Sequence, residues 1–370
     1  MQPAAGHRQL PALAGAQSDE RPRAGAPESV EMKAYHVACA AIGLLIASAG
    51  LAAQQYPNTS TFGVPFSKDE PWYQQCMRVA DLGETPPRAA GDCHAGELYY
   101  AKRSQAVTSQ GEWDQVRACA VASSDNAVLM MLYANGFGVQ RNADIALHYA
   151  CQLDFIAKAE MEARVEHLTS GRTGKAPFDQ CDDITSGYMG GICASIREDL
   201  NKQVRDARLE RVTKKLTPAG QQAFAKLRAA AEHYMDAAAG EVDMHGTAAH
   251  AFVLQHMGKL REQFMQAVLD TAGGKLPAAS AAAYAERDAR LNEAYKAVMA
   301  ISSTQEGWPD RIGDSTISHA AVRDTERRWL AYRDAFTAFA AKLPSAPDAA
   351  AVKILLTSQR IAQLSNLARN

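Results

Sequence analysis

The sequence lacks the short motifs that mark common catalytic sites. It contains no HExxH zinc motif, no GxSxG nucleophile elbow, no phosphate loop and no GxGxxG dinucleotide motif. It also contains no CxxC pair, and no histidine pair stands near the cysteines at the spacing of metal ligands. We therefore expect no catalytic residue, no cofactor and no metal site, and we interpret the chain as non-enzymatic.

An excess of charge of one sign is also missing. The chain has 39 Lys and Arg against 41 Asp and Glu, which gives a formal net charge of −2. No basic stripe indicates nucleic acid, and no acidic tail indicates a cationic partner. These features exclude nucleic acid as the expected partner.

Val and Ile are sparse, whereas Ala is abundant. Ala, Leu, Glu, Arg, Lys and Gln lose little free energy on entering a helix. Apolar residues recur at helical spacing, for example at Trp329, Tyr332 and Phe336. We predict an all-α fold, with a short solenoid-like region of helical repeats followed by two antiparallel helical-hairpin units.

The N-terminal segment has the features of an export signal. Residues 1–31 are rich in Ala, Pro, Gly and Arg without periodicity, which predicts disorder or a misassigned start. Residues 32–53 read as a signal peptide, with a basic start, an apolar run and small residues at its end. The apolar run of 17 residues is short for a membrane span. We expect cleavage, no stable membrane anchor, and a periplasmic or secreted protein.

Cysteine usage supports export independently. Of seven cysteines, Cys39 would leave with the signal peptide, and an even number would remain. This suits a disulfide framework in an oxidising compartment, with a metal site as the less favoured alternative. Six cysteines allow fifteen pairings. The preferred pairs are Cys76–Cys93, Cys119–Cys151 and Cys181–Cys193.

Residues 54–93 are predicted to be an extended lead-in with one short helix, and residues 94–170 to be helical repeats. The second repeat resembles a Sel-one-like repeat, a relative of the tetratricopeptide repeat. The residues that match its pattern are Leu132, Tyr133, Gly136, Gly138, Val139, Ala146 and Tyr149. Gly136 and Gly138 can adopt the positive φ that ends a helix. Cys119 and Cys151 hold equivalent places on successive helices, which is the reason for pairing them.

Part of the amino-acid sequence occurs twice in the second half of the chain. RDARL at 205–209 returns at 287–291, Tyr234 is echoed by Tyr332, and Arg261 by Arg360. Such self-similarity indicates one structural unit used twice. We place the two units at 181–270 and 279–368.

The later unit resembles the LprI-type lysozyme-inhibitor domain. The residues that carry this resemblance are Asp288, Leu291, Asn292, Tyr295, Trp329, Tyr332, Arg333, Asp334 and Arg360. The earlier unit is degraded, since Ala231 stands at the tryptophan position and Met235 at the arginine position. In the later unit, Glu326 replaces the usual glutamine.

We interpret these motif residues primarily as a structural cluster that holds two helices together. A guanidinium can stack on an indole and bind a carboxylate, so Arg333 is expected to bridge to Asp288 while Trp329 and Tyr332 fill the core. Contact with a ligand is the alternative.

The family resemblance implies a protein partner such as lysozyme or another cell-wall hydrolase. The candidate contact is the loop at 302–318, which carries Trp308, Asp310 and Arg311 and has no counterpart in the earlier unit. An alternative function is a periplasmic adaptor that binds an envelope protein through the helical repeats.

Overall fold

The computed structural model describes residues 56–60, 62–83, 93–154, 156–171 and 176–369. The predicted disordered segment 1–31 and signal peptide 32–53 lie outside the described residues, so both stay predictions. Within these ranges every regular element is a helix, which confirms the all-α class. None of these helices combines the length and apolar character needed to cross a membrane.

The described part of the first half contains six short helices that bury one hydrophobic core. They are α1 (Pro71–Arg78), α2 (Ala95–Arg103), α3 (Gln110–Ser123), α4 (Asn126–Asn135), α5 (Ala143–Ala150) and α6 (Lys158–Thr169). From α2 to α5, each helix packs against the next along the chain, α5 packs against α6, and α1 packs against α6. The lead-in belongs to this core, because Trp72, Tyr73 and Cys76 of α1 are buried in it.

Local signals place these helices. Ser109 and Glu112 form a reciprocal capping box that begins α3, since both unpaired backbone N–H groups find acceptors. As expected, α4 ends at Gly136 with φ of +74°, and Gly138 has φ of +67°. A Cβ on Gly138 would lie 2.3 Å from the Cβ of Trp113, so close packing also requires glycine there.

The disulfide pairs correct two of the three predictions. Cys181 pairs with Cys193 as expected. The predicted bonds Cys76–Cys93 and Cys119–Cys151 are wrong: the observed pairs are Cys76–Cys151 and Cys93–Cys119, with Cα–Cα distances of 5.7 and 6.0 Å.

The reason for this pairing is the path of the lead-in, which folds onto the end of α5. The Asn58 N–H donates to the Cys151 carbonyl at 3.0 Å, and His148 Nδ1 lies 2.8 Å from the Val79 carbonyl oxygen. These contacts bring α1, and with it Cys76, to Cys151. Cys93 precedes α2, and α2 packs against the helix that carries Cys119.

The second half contains six longer helices. They are α7 (Gly187–Thr213), α8 (Pro218–Ala238), α9 (Ala249–Ala272), α10 (Ala281–Met299), α11 (His319–Ala340) and α12 (Ala349–Leu367). A 3₁₀ turn at Ala239–Glu241 follows α8. The first turns of α7 pack on the first core, and Leu209 near its end belongs to a second core.

The second core is shared by both predicted units. In each unit the first helix packs against the third, that is α7 with α9 and α10 with α12, while the middle helices α8 and α11 pack against each other. Tyr234 and Tyr332 stack between these middle helices, with ring centroids 5.4 Å apart and an interplanar angle of 10°. The two segments thus use the same helix pairing, although their duplication stays a prediction from the sequence.

Candidate functional site

The motif residues Asp288, Trp329 and Arg333 meet between α10 and α11. Arg333 Nη1 donates to Asp288 Oδ1 at 3.3 Å, and the guanidinium carbon lies 5.2 Å from the centre of the Trp329 ring. Trp329 is only 2% exposed. The guanidinium therefore covers a buried indole and links two helices.

The other motif residues divide between the core and the surface. Leu291 and Tyr332 are buried, and Tyr295 packs against the same core. Asn292 donates to the carbonyl of Asp288 on its own helix at 2.9 Å, and Asp334 is largely exposed. Most of the motif therefore holds the helices together.

Sequence reasoning did not single out Tyr284, which also touches this cluster. Its hydroxyl donates to Asp288 Oδ1 at 3.3 Å, and Lys353 of α12 lies 5.4 Å above its ring. Burial raises the pKa of Tyr284, so its hydroxyl stays protonated and can donate. Asp288 thus accepts from both neighbours, an arrangement that binds α10 to α11.

Arg360 is the most deeply buried charge of the motif, and its acceptors come from two distant parts of the chain. Its Nη1 and Nη2 donate to the two oxygens of Glu241 at 2.8 and 2.6 Å, and its Nε donates to Glu326 Oε2 at 2.9 Å. Burial alone would lower the pKa of Arg360, but the hydrogen bonds and charge of Glu241 outweigh it and raise that pKa. Burial raises the pKa of Glu326, which the Arg360 charge offsets only in part.

The sequence marked Glu326, because it replaces the usual glutamine of the motif. No motif or spacing near Glu241 indicated that it would bind Arg360. Since Glu241 follows α8 and Arg360 lies on α12, this ion pair links the two segments. The buried arginine is therefore a structural centre of the second core.

The loop at 302–318 is a defined structure between α10 and α11. Isolated bridges join Ser303 to Gly313 and Arg311 to Ser318. The Ile312 N–H donates to the Ile317 carbonyl at 2.9 Å, and both side chains are buried. Two apolar anchors and its own backbone bonds therefore hold this loop.

A residue outside the loop also holds it in place. Asp243, in the connection between α8 and α9, accepts from the N–H and the hydroxyl of Thr316 at 3.1 and 3.0 Å. Burial alone would raise the pKa of Asp243, but these hydrogen bonds outweigh it and lower that pKa. The Asp243 contact therefore adds a charge-assisted attachment.

The three candidate contact residues lie together on the loop. Trp308 is 57% exposed, and the Arg311 guanidinium carbon lies 4.9 Å from its ring centre. Asp310 Oδ1 lies 3.6 Å from His319 Nδ1 and 3.8 Å from Arg323 Nη2. The loop thus presents an indole stacked with a guanidinium beside an exposed carboxylate.

Across the described ranges, no group of three or more His, Cys, Asp or Glu side chains is arranged to hold a metal ion. The fold and the loop define a disulfide-bonded helical protein that displays a preformed polar and aromatic surface.

Residues 270–364 match the family model described as Lysozyme inhibitor LprI. The matched span begins near the end of α9 and closes within α12, so it contains every motif residue and the whole loop. The helical repeats and most of the earlier unit lie outside it. No curated protein and no solved structure matches the chain.

Proposed function

We propose that this protein is an exported, non-enzymatic binding protein that inhibits lysozyme or another cell-wall hydrolase through the loop at 302–318. The observation that carries the proposal is the lysozyme-inhibitor match, which spans this loop and the helices on both sides of it. The three disulfide bonds support export, because such bonds persist in oxidising compartments.

The form of the loop supports inhibition by insertion into a cleft. Tryptophan and arginine are the side chains most enriched at the energetic centres of protein interfaces, and Trp308 and Arg311 are already stacked. Because Ile312, Ile317 and Asp243 hold the loop, binding would cost little ordering entropy.

The alternative function, an adaptor that binds through the helical repeats, has less support. Among the described residues of 94–170, Val107 is the exposed large apolar side chain. The second half exposes more, including Trp308 and Leu330. An adaptor surface with few apolar contacts would be a weak one, so the loop is favoured.

A turbidity assay of cell-wall lysis tests the proposal. The purified exported protein should slow lysozyme, or another wall hydrolase in a small panel, at stoichiometric amounts. Trp308→Ala should raise the inhibition constant by about 30-fold, the loss of one interface centre of about 2 kcal/mol.

Phe252→Ala is the matched control, because Phe252 is 51% exposed and lies on α9 rather than on the loop. This variant should inhibit as strongly as the unmodified protein. The absence of any effect on the whole panel at micromolar excess would contradict the proposed function. Equal losses for both variants would contradict the role of the loop.

A further inference from the structure

The charged side chains of α7 are divided between two sides of the helix. The helical repeat of about 3.6 residues places three exposed arginines on one side, namely Arg197, Arg208 and Arg211. The carboxylates outside the core fall on the opposite side, namely Asp199, Asp206 and Glu210. None of the three arginines forms an ion pair with a residue that the structure describes. One side of α7 therefore presents positive charge without neighbouring carboxylates on the same helix.

The repeated segment RDARL provides an internal comparison for Arg208. Its counterpart Arg290 on α10 is neutralised by Glu286, four residues earlier, at 2.7 Å. Val204 stands at the equivalent place on α7 and is 53% exposed. Arg208 therefore lies beside an exposed apolar side chain, at a place where the later segment forms an ion pair.

This side of α7 forms one wall of a groove with α9. The groove has a volume of about 560 Å³. Arg197 and Arg208 line it from α7 and Lys259 lines it from α9, and all three are exposed. Within the described ranges Lys259 also has no carboxylate partner. Val204 and Leu254 add apolar surface, so the groove combines cations from two helices with apolar contacts.

Two carboxylates also line the groove, and they are fewer than its cations. Glu198 is buried, and its Oε1 already accepts from Arg261 Nη1 at 2.8 Å and from Arg205 Nη2. Glu262 is exposed on α9 and is the one remaining carboxylate of the lining, against three exposed cations. The groove therefore carries a net positive charge and favours an anionic ligand.

The spacing of the cations indicates an extended ligand. Arg197 and Arg208 lie roughly three turns apart, about 16 Å along the axis, because each residue advances a helix by about 1.5 Å. An extended peptide covers this distance in about five residues. We infer that the groove binds an acidic peptide segment of a partner protein, with a carboxylate at each end and an apolar side chain between them. This inference does not depend on the proposed inhibition.

The apolar contacts of the groove suit a peptide better than a lipid surface. Helices that lie on membranes insert large apolar side chains such as Trp, Phe or Leu beside their cations. On this side of α7 the exposed large apolar side chain is Val204, and Leu254 of α9 is half-buried. A peptide side chain can enter the groove and reach both, whereas so little exposed apolar surface gives a bilayer few contacts.

Isothermal titration calorimetry on the purified protein at low ionic strength tests the inference with two blocked synthetic peptides. One is Glu-Ser-Ser-Leu-Ser-Glu, and the other carries lysine in place of each glutamate. We expect the acidic peptide to bind at least about tenfold more tightly, and to bind more weakly as salt screens the exposed charges. No binding of either peptide at millimolar concentration, or equal binding of both, would overturn the inference. Binding of anionic phospholipid vesicles without binding of the acidic peptide would also overturn it.

A matched pair of variants locates the site. Val204→Glu places a carboxylate four residues before Arg208, as Glu286 stands before Arg290, an arrangement that a helix accommodates. It should weaken the acidic peptide at least about tenfold, because it neutralises Arg208 and repels the ligand. Val107→Glu makes the same change at a residue that is 85% exposed and does not line the groove, and it should bind as the unmodified protein does.

A second variant at the groove removes charge without adding any. Arg208→Gln should weaken the acidic peptide about threefold, the loss of one exposed ion pair. Arg208 is chosen over Arg197, because Arg197 also lines a neighbouring pocket that contains Asp182. Circular dichroism checks that each variant is folded. Undiminished binding in a folded Val204→Glu, or an equal loss in Val107→Glu, would refute this location.

Discussion

Replacement of Arg360 by methionine should destabilise the protein more than any change to a surface arginine. Arg360 is fully buried and makes three hydrogen bonds to carboxylates, two to Glu241 and one to Glu326. Methionine fills much of the same space but provides no donor. Both carboxylates would stay in the core without the guanidinium that binds them.

The expected loss of stability follows from leaving Glu241 and Glu326 without their guanidinium partner. Removal of one member of a buried ion pair costs about 3–5 kcal/mol, because the other member keeps its desolvation penalty. Here two carboxylates share one guanidinium, so we expect the upper part of that range. Glu326→Gln should cost less than about 1 kcal/mol, because the amide oxygen can still accept from Arg360 Nε.

The loss should also depend on pH in a defined direction. Burial already raises the pKa of Glu326, and without Arg360 it should rise further. A carboxyl whose pKa is higher in the folded state than in the unfolded state stabilises the fold by binding a proton. That contribution is fully present below the unfolded pKa and disappears as pH rises through the folded pKa. The variant should therefore lose less stability in acid than at neutral pH.

Urea unfolding followed by far-UV circular dichroism, at about pH 5 and about pH 8, measures both quantities. Arg327→Met is the control, since Arg327 is highly exposed and bridges Asp324 at 3.1 Å. Exposed pairs contribute about 0–1 kcal/mol, so this variant should differ little from the unmodified protein. A loss below about 1 kcal/mol for Arg360→Met, or an equal loss at both pH values, would refute the reasoning.

Two further predictions concern the first half and the disulfides. Gly138→Ala should cost more than about 2 kcal/mol, because its φ is positive and its Cβ would meet the Cβ of Trp113. Gly274→Ala should cost only about 1 kcal/mol, since φ is also positive there but no atom lies within 4 Å; equal midpoints in thermal unfolding would contradict this. Proteolysis without reduction, followed by mass spectrometry, should yield peptides linked through Cys76–Cys151 and Cys93–Cys119. Recovery of a Cys119–Cys151 peptide instead would contradict the structure.

The helices of this protein were predictable from local sequence. The helical spacing of Trp329, Tyr332 and Phe336 predicted a helix there, and α11 spans His319–Ala340. The turn at Gly136 and the bond Cys181–Cys193 were predicted as well. All of these depend on residues close together in the chain, for which propensity, capping and short loop closure suffice.

Contacts between distant residues were not predictable in the same way. Cys76 could pair with any of several cysteines, and the path of the lead-in over α5 selected Cys151. Arg360 was recognised as a motif residue, but its partner Glu241 lies 119 residues away and carries no signal of its own.

The sequence alone therefore determined an all-α chain, the turn at Gly136 and the motif that joins Asp288, Trp329 and Arg333. Tertiary structure alone decided that α8 and α11 pack together, and that Arg360 meets Glu241 in the second core. The physical reason is that helix formation depends on neighbours within a few residues. Which charges and which cysteines come together depends on how whole helices pack.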